Sequence, residues 1–113
     1  MRKLILKIND KDYTLQLNRD AIKWLEANGF SLDKMEDKFL TYYDMLWTSL
    51  FIANHKDVNP NLAFKLQESY VAEKGNKMLN KVIAFAIEEY KAFILALADT
   101  DSETEEELQI MEA

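Results

Sequence analysis

The sequence predicts a mostly helical α+β domain, in which an N-terminal β-hairpin packs on a bundle of about four helices. Three observations carry that prediction. Over the first 17 positions apolar residues alternate with polar ones, the period of a half-buried strand. From residue 19 onward they recur at three- and four-residue spacing, the period of one face of an α-helix. The chain holds only two Gly and one Pro, and all three stand at breaks between those runs.

Leu4, Leu6 and Ile8 alternate with Lys3 and Lys7, then Tyr13, Leu15 and Leu17 alternate with Thr14 and Gln16. Asn9, Asp10 and Lys11 lie between the two sets, and Asn and Asp tolerate the left-handed backbone of tight turns. A hairpin over residues 2–17 follows. Because a lone hairpin is only marginally stable, its apolar face must pack on helices.

Asn18 reads as the N-cap of a helix over 19–28, carrying Ala21, Ile22, Trp24 and Leu25. Asn28-Gly29 ends it, since Gly29 can turn left-handed without a Cβ clash, and a polar connector follows Phe30. A helix over 38–54 shows an unusually wide apolar stripe: Phe39, Tyr43, Leu46, Leu50 and Ala53, with Tyr42, Met45 and Phe51 beside them and Trp47 and Ile52 widening it. Such a helix is central in its fold or meets another chain. Asn59-Pro60 starts a helix over 60–73 whose buried side is Leu62, Leu66, Tyr70 and Val71, until Gly75-Asn76 breaks the run. The last helix, 77–98, presents Leu79, Val82, Ile83, Ala86, Tyr90, Phe93, Ile94 and Leu97. Residues 1–98 thus form one globular domain. Residues 99–113 read as an acidic flexible tail, in which Leu108, Ile110 and Met111 suggest a docking element.

Composition narrows the function. With no Cys there is no disulfide, thiolate nucleophile or thiolate zinc site. The N-terminus lacks the apolar run of a secretory signal. The longest apolar stretch, Met78 to Ala98, is interrupted by Asn80, Lys81, Glu88, Glu89 and Lys91, so no membrane span is expected. Of the 20 acids seven fall in residues 99–113, which leaves an almost neutral body of 13 acids and 14 bases. That distribution argues against nucleic-acid binding, which draws on a clustered positive surface. Lys74, Lys77 and Lys81 share a helix side, but Glu73 stands among them and no aromatic interleaving supports base stacking.

No catalytic, cofactor or metal site is expected. His55 is the only histidine, which rules out a His-based metal cluster within the chain; near a helix end it reads as solvent-exposed or facing the helix dipole. The alternating acids from Asp99 resemble a calcium loop in outline, but Thr104 stands where the turn needs Gly and Ile110 where a closing Glu belongs. Glu88 and Glu89 are expected to diverge around their helix, Asp33, Glu36 and Asp37 to lie solvated beside Lys34 and Lys38, and neither Gly29 nor Gly75 sits in a phosphate-binding pattern. What remains is an apolar surplus of two Trp, five Tyr, six Phe and five Met. A domain of this size cannot hide every large side chain, so Trp47, Phe51, Met78 and Phe85 are the candidates for a protein-binding patch.

Taken in order, the hairpin LILKINDKDYTLQLN, the helix IKWLEANGF, the aromatic helix FLTYYDMLWTSLFIANH, the start VNPNLAFKLQESY and the long final helix resemble a tail assembly chaperone of long-tailed bacteriophages or prophages. The resemblance covers nearly residues 1–98 and is one of layout. It implies a small helical protein in the cytoplasm of the bacterial host that keeps the tape measure protein soluble and helps recruit tail tube subunits, with no catalytic residues to carry over. Residues 99–113 would suit the junction at which that family is extended by frameshifting. On this reading an apolar face tolerant of varied helices receives the client, Trp47 and Phe51 contribute to it, and self-association is expected. A small regulatory or antitoxin-like protein-binding module is the competing expectation.

Overall fold

The structure, a computed structural model, describes residues 2–98. Strands β1 (Lys3–Ile8) and β2 (Lys11–Gln16) form an antiparallel hairpin in which Leu6 pairs with Tyr13 and Leu4 with Leu15. Ile8 pairs with Lys11, so the loop is the two residues Asn9 and Asp10, at φ 51° and 63°. Two successive left-handed residues make a type I′ turn, whose twist matches that of the strands. One face of the hairpin buries Leu6, Ile8, Tyr13 and Leu15, while Ile5 points outward.

Helix α1 (Arg19–Ala27) begins where the Asn18 side-chain oxygen accepts from the Ala21 amide at 2.9 Å. It ends in a Schellman arrangement: beyond the left-handed Gly29, the Phe30 amide returns to the Leu25 carbonyl at 2.9 Å and the Gly29 amide to Glu26 at 3.1 Å. A single 3-10 turn, Leu32–Lys34, leads to α2 (Phe39–Ser49). The Asn59 side chain caps α3 (Pro60–Lys74) at Leu62 with a 2.8 Å bond, and α4 (Asn76–Ala98) follows the left-handed Gly75. The expected α+β architecture, a hairpin followed by four helices, is what the chain adopts. The expected acidic tail of residues 99–113 lies outside the described residues.

One helix is shorter than its apolar period suggests. α2 stops at Ser49, not near residue 54. The amides of Leu50, Phe51 and Ile52 bond three residues back, to Trp47, Thr48 and Ser49, and the chain then leaves the helical path. The cause is the hairpin. In this register the backbone groups of Thr14 and Gln16 point away from β1, and segment 50–55 supplies their partners. The Gln16 amide donates to the Leu50 carbonyl at 3.1 Å, the Thr14 amide to His55 Nε2 at 3.0 Å, and Asn54 Nδ2 donates to the Thr14 carbonyl at 3.3 Å.

The core runs continuously from the hairpin through Leu46, Trp47, Leu50 and Phe51 to Leu66, Tyr70, Leu79, Val82, Ile83 and Ala86. Trp47 Nε1 donates to the Ala63 carbonyl at 2.7 Å, so the two helices meet where α3 carries a small alanine. Ala63 therefore takes the buried position expected for Leu62, which is exposed. Beyond Tyr90, Phe93 still packs against the core, while Ile94, Leu95 and Leu97 of α4 are exposed.

The hairpin is held at both ends. At its turn the Asn9 amide donates to Glu73 Oε1 at 3.0 Å and Asn9 Nδ2 to Ser69 Oγ at 3.2 Å. At its start the Arg2 amide donates to Glu89 Oε1 at 2.9 Å, Arg2 Nε to Glu89 Oε2 at 3.0 Å and Arg2 Nη2 to Glu88 Oε2 at 3.1 Å. Glu88 and Glu89, expected to diverge, instead converge on one guanidinium, whose fork is wide enough to span adjacent helix positions.

Phe51→Ala should cost about 3–5 kcal/mol in chemical denaturation, because it empties a fully enclosed site. Ile5→Ala, at a position 67% exposed, should stay within about 0.5 kcal/mol.

Candidate functional site

The four aromatic and methionine candidates do not assemble into a surface. Trp47 is 1% exposed and Phe51 0%, and both belong to the core. Phe51 packs edge-on against Tyr13 and Trp47, and Trp47 lies against Tyr70. Their bulk is what fills the space between hairpin and helices. Met78 is exposed on the first turn of α4, and Phe85 is half-buried beneath the Arg2 guanidinium, 5.3 Å from its ring.

His55 is also not the solvated imidazole its position suggested. Its Nε2 accepts from the Thr14 amide, which requires a lone pair there, and its ring packs on Tyr13 and Phe51 at 5.1 and 6.2 Å. It serves the hairpin edge.

The apolar surface lies elsewhere. Phe39 and Leu40, on the first turn of α2, are 56% and 70% exposed, and Phe64 of α3 is 51% exposed. These three border a groove of about 660 Å3 with Tyr43, Val71, Ala72 and Leu79, so its walls come from α2, α3 and α4. A second hollow of about 340 Å3, lined by Trp24, Met45, Trp47 and Pro60, shares Asp44, Phe64 and Gln67 with the first. The two form one apolar face crossing α2 and α3.

Local sequence explains why the face is open. α3 has apolar residues on two sides: Ala63, Leu66 and Tyr70 turn to the core, while Phe64 and Val71 turn to the groove. α2 does the same, with Tyr42, Leu46 and Trp47 inward and Phe39 and Leu40 outward. One core can cover only one side of each helix. The signal that would have found the site is this second stripe, not the size of the aromatics.

The groove also has polar side chains, from Tyr43, Asp44, Gln67, Glu68, Asn76 and Asn80. Tyr43 donates its hydroxyl to Asn80 Oδ1 at 2.6 Å, and Gln67 donates its amide to Asp44 Oδ1 at 3.3 Å. Among the described residues Asp44 and Glu68 are the charged ones of the lining, which holds no Ser, Thr, Lys or His from them. Burial, and secondarily Asp44, push the Tyr43 hydroxyl above its ordinary value. This arrangement can cover apolar surface and orient it with a few hydrogen bonds. A third hollow, about 480 Å3 and mostly apolar, is lined by Phe30, Leu32, Tyr90, Ile94 and Leu95 among others. Among the described residues no group of three or more His, Asp or Glu gathers to hold a metal, and no helix is long and apolar enough to cross a membrane.

A family model matches residues 1–112, almost the whole chain. The chain belongs to the DUF5055 family. That family is described as a domain of unknown function. Comparison with curated proteins and with solved structures gives no match. For this DUF5055 domain the groove of α2, α3 and α4 is therefore a candidate site on geometry alone.

Tyr43, Tyr70 and Tyr90 all have their hydroxyls pushed up chiefly by burial. The unfolded chain releases these protons first, near the ordinary value of about 10. Stability is thus complete below that pH and falls as pH rises toward the folded values. Urea midpoints should be level from neutrality to about pH 9 and drop by pH 11, alongside a delayed tyrosinate absorbance change.

Proposed function

We propose that the protein is a binding module, not an enzyme, that shields apolar helical surface of a partner. In its specific form the proposal is a tail assembly chaperone of a long-tailed bacteriophage, acting in the host cytoplasm, which keeps the tape measure protein soluble and helps recruit tail tube subunits. The observation that carries it is the open apolar groove lined by Phe39, Leu40 and Phe64. The resemblance of the sequence, in the order of its hairpin, aromatic helix and long final helix, to tail assembly chaperones supports the choice of partner.

The energetics fit a reversible holder. Fully covering one such side chain contributes about 1.5–3 kcal/mol. Three of them contribute several kcal/mol, against an association cost of about 4–15 kcal/mol. A single client segment is therefore held weakly, and a client with many such segments gains by repetition. A chaperone that must later surrender its client needs that balance.

The test is co-expression with the tape measure protein of the same phage, measuring the soluble client fraction. Leu40→Glu and Phe64→Ser sit at exposed positions, so each should leave unfolding within about 0.5 kcal/mol. Both should reduce the soluble client at least twofold. Full solubilisation by folded variants would remove the groove as the client site.

A further inference from the structure

We infer that the groove takes an amphipathic helix whose apolar stripe is bordered by Lys or Arg. The inference rests on the binding reading above and names the chemistry of the bound element.

The walls select a helix. Phe39 and Tyr43 stand one turn apart on α2, and Phe64, Glu68 and Val71 or Ala72 follow at successive turns on α3. Two such ridges leave between them a channel into which the side-chain ridge of another helix fits. An extended strand has no place here. Helices satisfy their own backbone groups, so walls made of helices have no row of free amides and carbonyls for a strand to pair with, and its own would be left unpaired.

The charges select the flanks. Asp44 on α2 and Glu68 on α3 are the charged residues lining the groove, and both are acidic. Among the described residues the ion pairs are those of Arg2 with Glu88 and Glu89, so neither Asp44 nor Glu68 has a cationic partner there. Asp44 accepts the Gln67 amide and lies where the two hollows meet. A Lys or Arg beside the client's apolar stripe can lay its methylene stem over Phe64 or Leu40 while its head reaches a carboxylate. An acidic flank would meet two unpaired carboxylates, and so would a phosphate backbone or an anionic bilayer.

The test uses the full chain and three synthetic helices of about 20 residues, long enough to hold helical structure. They share one apolar stripe, flanked by Lys, by Gln or by Glu, and binding is read by fluorescence anisotropy at low and physiological salt. The expected order is Lys over Gln over Glu, with steps of about threefold per contacting charge that shrink as salt rises. Asp44→Asn combined with Glu68→Gln should abolish the Lys-over-Glu preference, with circular dichroism confirming the fold. Equal binding of all three peptides, lost in Leu40→Glu, would overturn the charge inference and leave the groove standing. Binding of none, or binding indifferent to Phe64→Ser, would overturn both. A dimer that Leu40→Glu dissociates in sedimentation would make a second copy the occupant and overturn the inference.

Discussion

The outer edge of β2 is the constraint on which the rest of the molecule depends. A two-stranded sheet leaves half of its backbone groups without a partner strand, and an edge that is half-buried against helices cannot leave them all to water. Segment 50–55 closes that edge with a carbonyl from Leu50, a ring nitrogen from His55 and an amide from Asn54. A fully buried group left without such a bond would cost about 1–3 kcal/mol, and the part-buried Thr14 amide avoids a share of that cost. To deliver these bonds the chain must abandon the helix at Ser49. The same departure brings Leu50 and Phe51 under the hairpin and sets Trp47, one turn earlier, against the Ala63 carbonyl. Edge closure, the end of α2 and the crossing of α2 with α3 are one event.

That coupling explains which features were legible in the sequence. The caps at Asn18 and Asn59, the left-handed Asn9-Asp10 turn and the breaks at Gly29 and Gly75 are decided by atoms within a few residues, so local chemistry reveals them. The end of α2 is decided by Thr14 and Gln16, far away in the chain, while its apolar period continues past Ser49. His55 is misread for the same reason: proximity to a helix end suggests a cation, but its partner is a strand amide that periodicity does not display. Arg2 and its two glutamates are separated by almost the whole chain.

The site was legible only as a surplus. Counting large apolar residues correctly indicates more of them than one core can use, but ranking them by size for exposure inverts the physics. The largest side chains gain most from enclosure, and Trp47 and Phe51 lie at the centre. Exposure falls instead on residues whose helix has already spent its inward side. Phe64 is left out because Ala63 and Leu66 take the core positions, and Phe39 and Leu40 because Tyr42 and Leu46 do.

The first turn of α2 departs most from the local consistency seen elsewhere. α1 and α3 each begin with an asparagine side chain bonded to a backbone amide. α2 begins at Lys38 with no side-chain cap, and its leading residues are the exposed Phe39 and Leu40. A missing cap forgoes about 1 kcal/mol. The unburied pair, 56% and 70% exposed, forgoes a further part of the roughly 1.5–3 kcal/mol that full burial of each side chain would contribute. Yet among the described residues no buried side-chain nitrogen or oxygen lacks a hydrogen-bond partner, so the chain is not careless elsewhere. In a sequence that otherwise agrees with its fold, such a lapse is where the proposed partner would act. A partner helix over Phe39 and Leu40 would supply the missing packing and hold the uncapped turn, so binding and the ordering of α2 would draw on the same free energy.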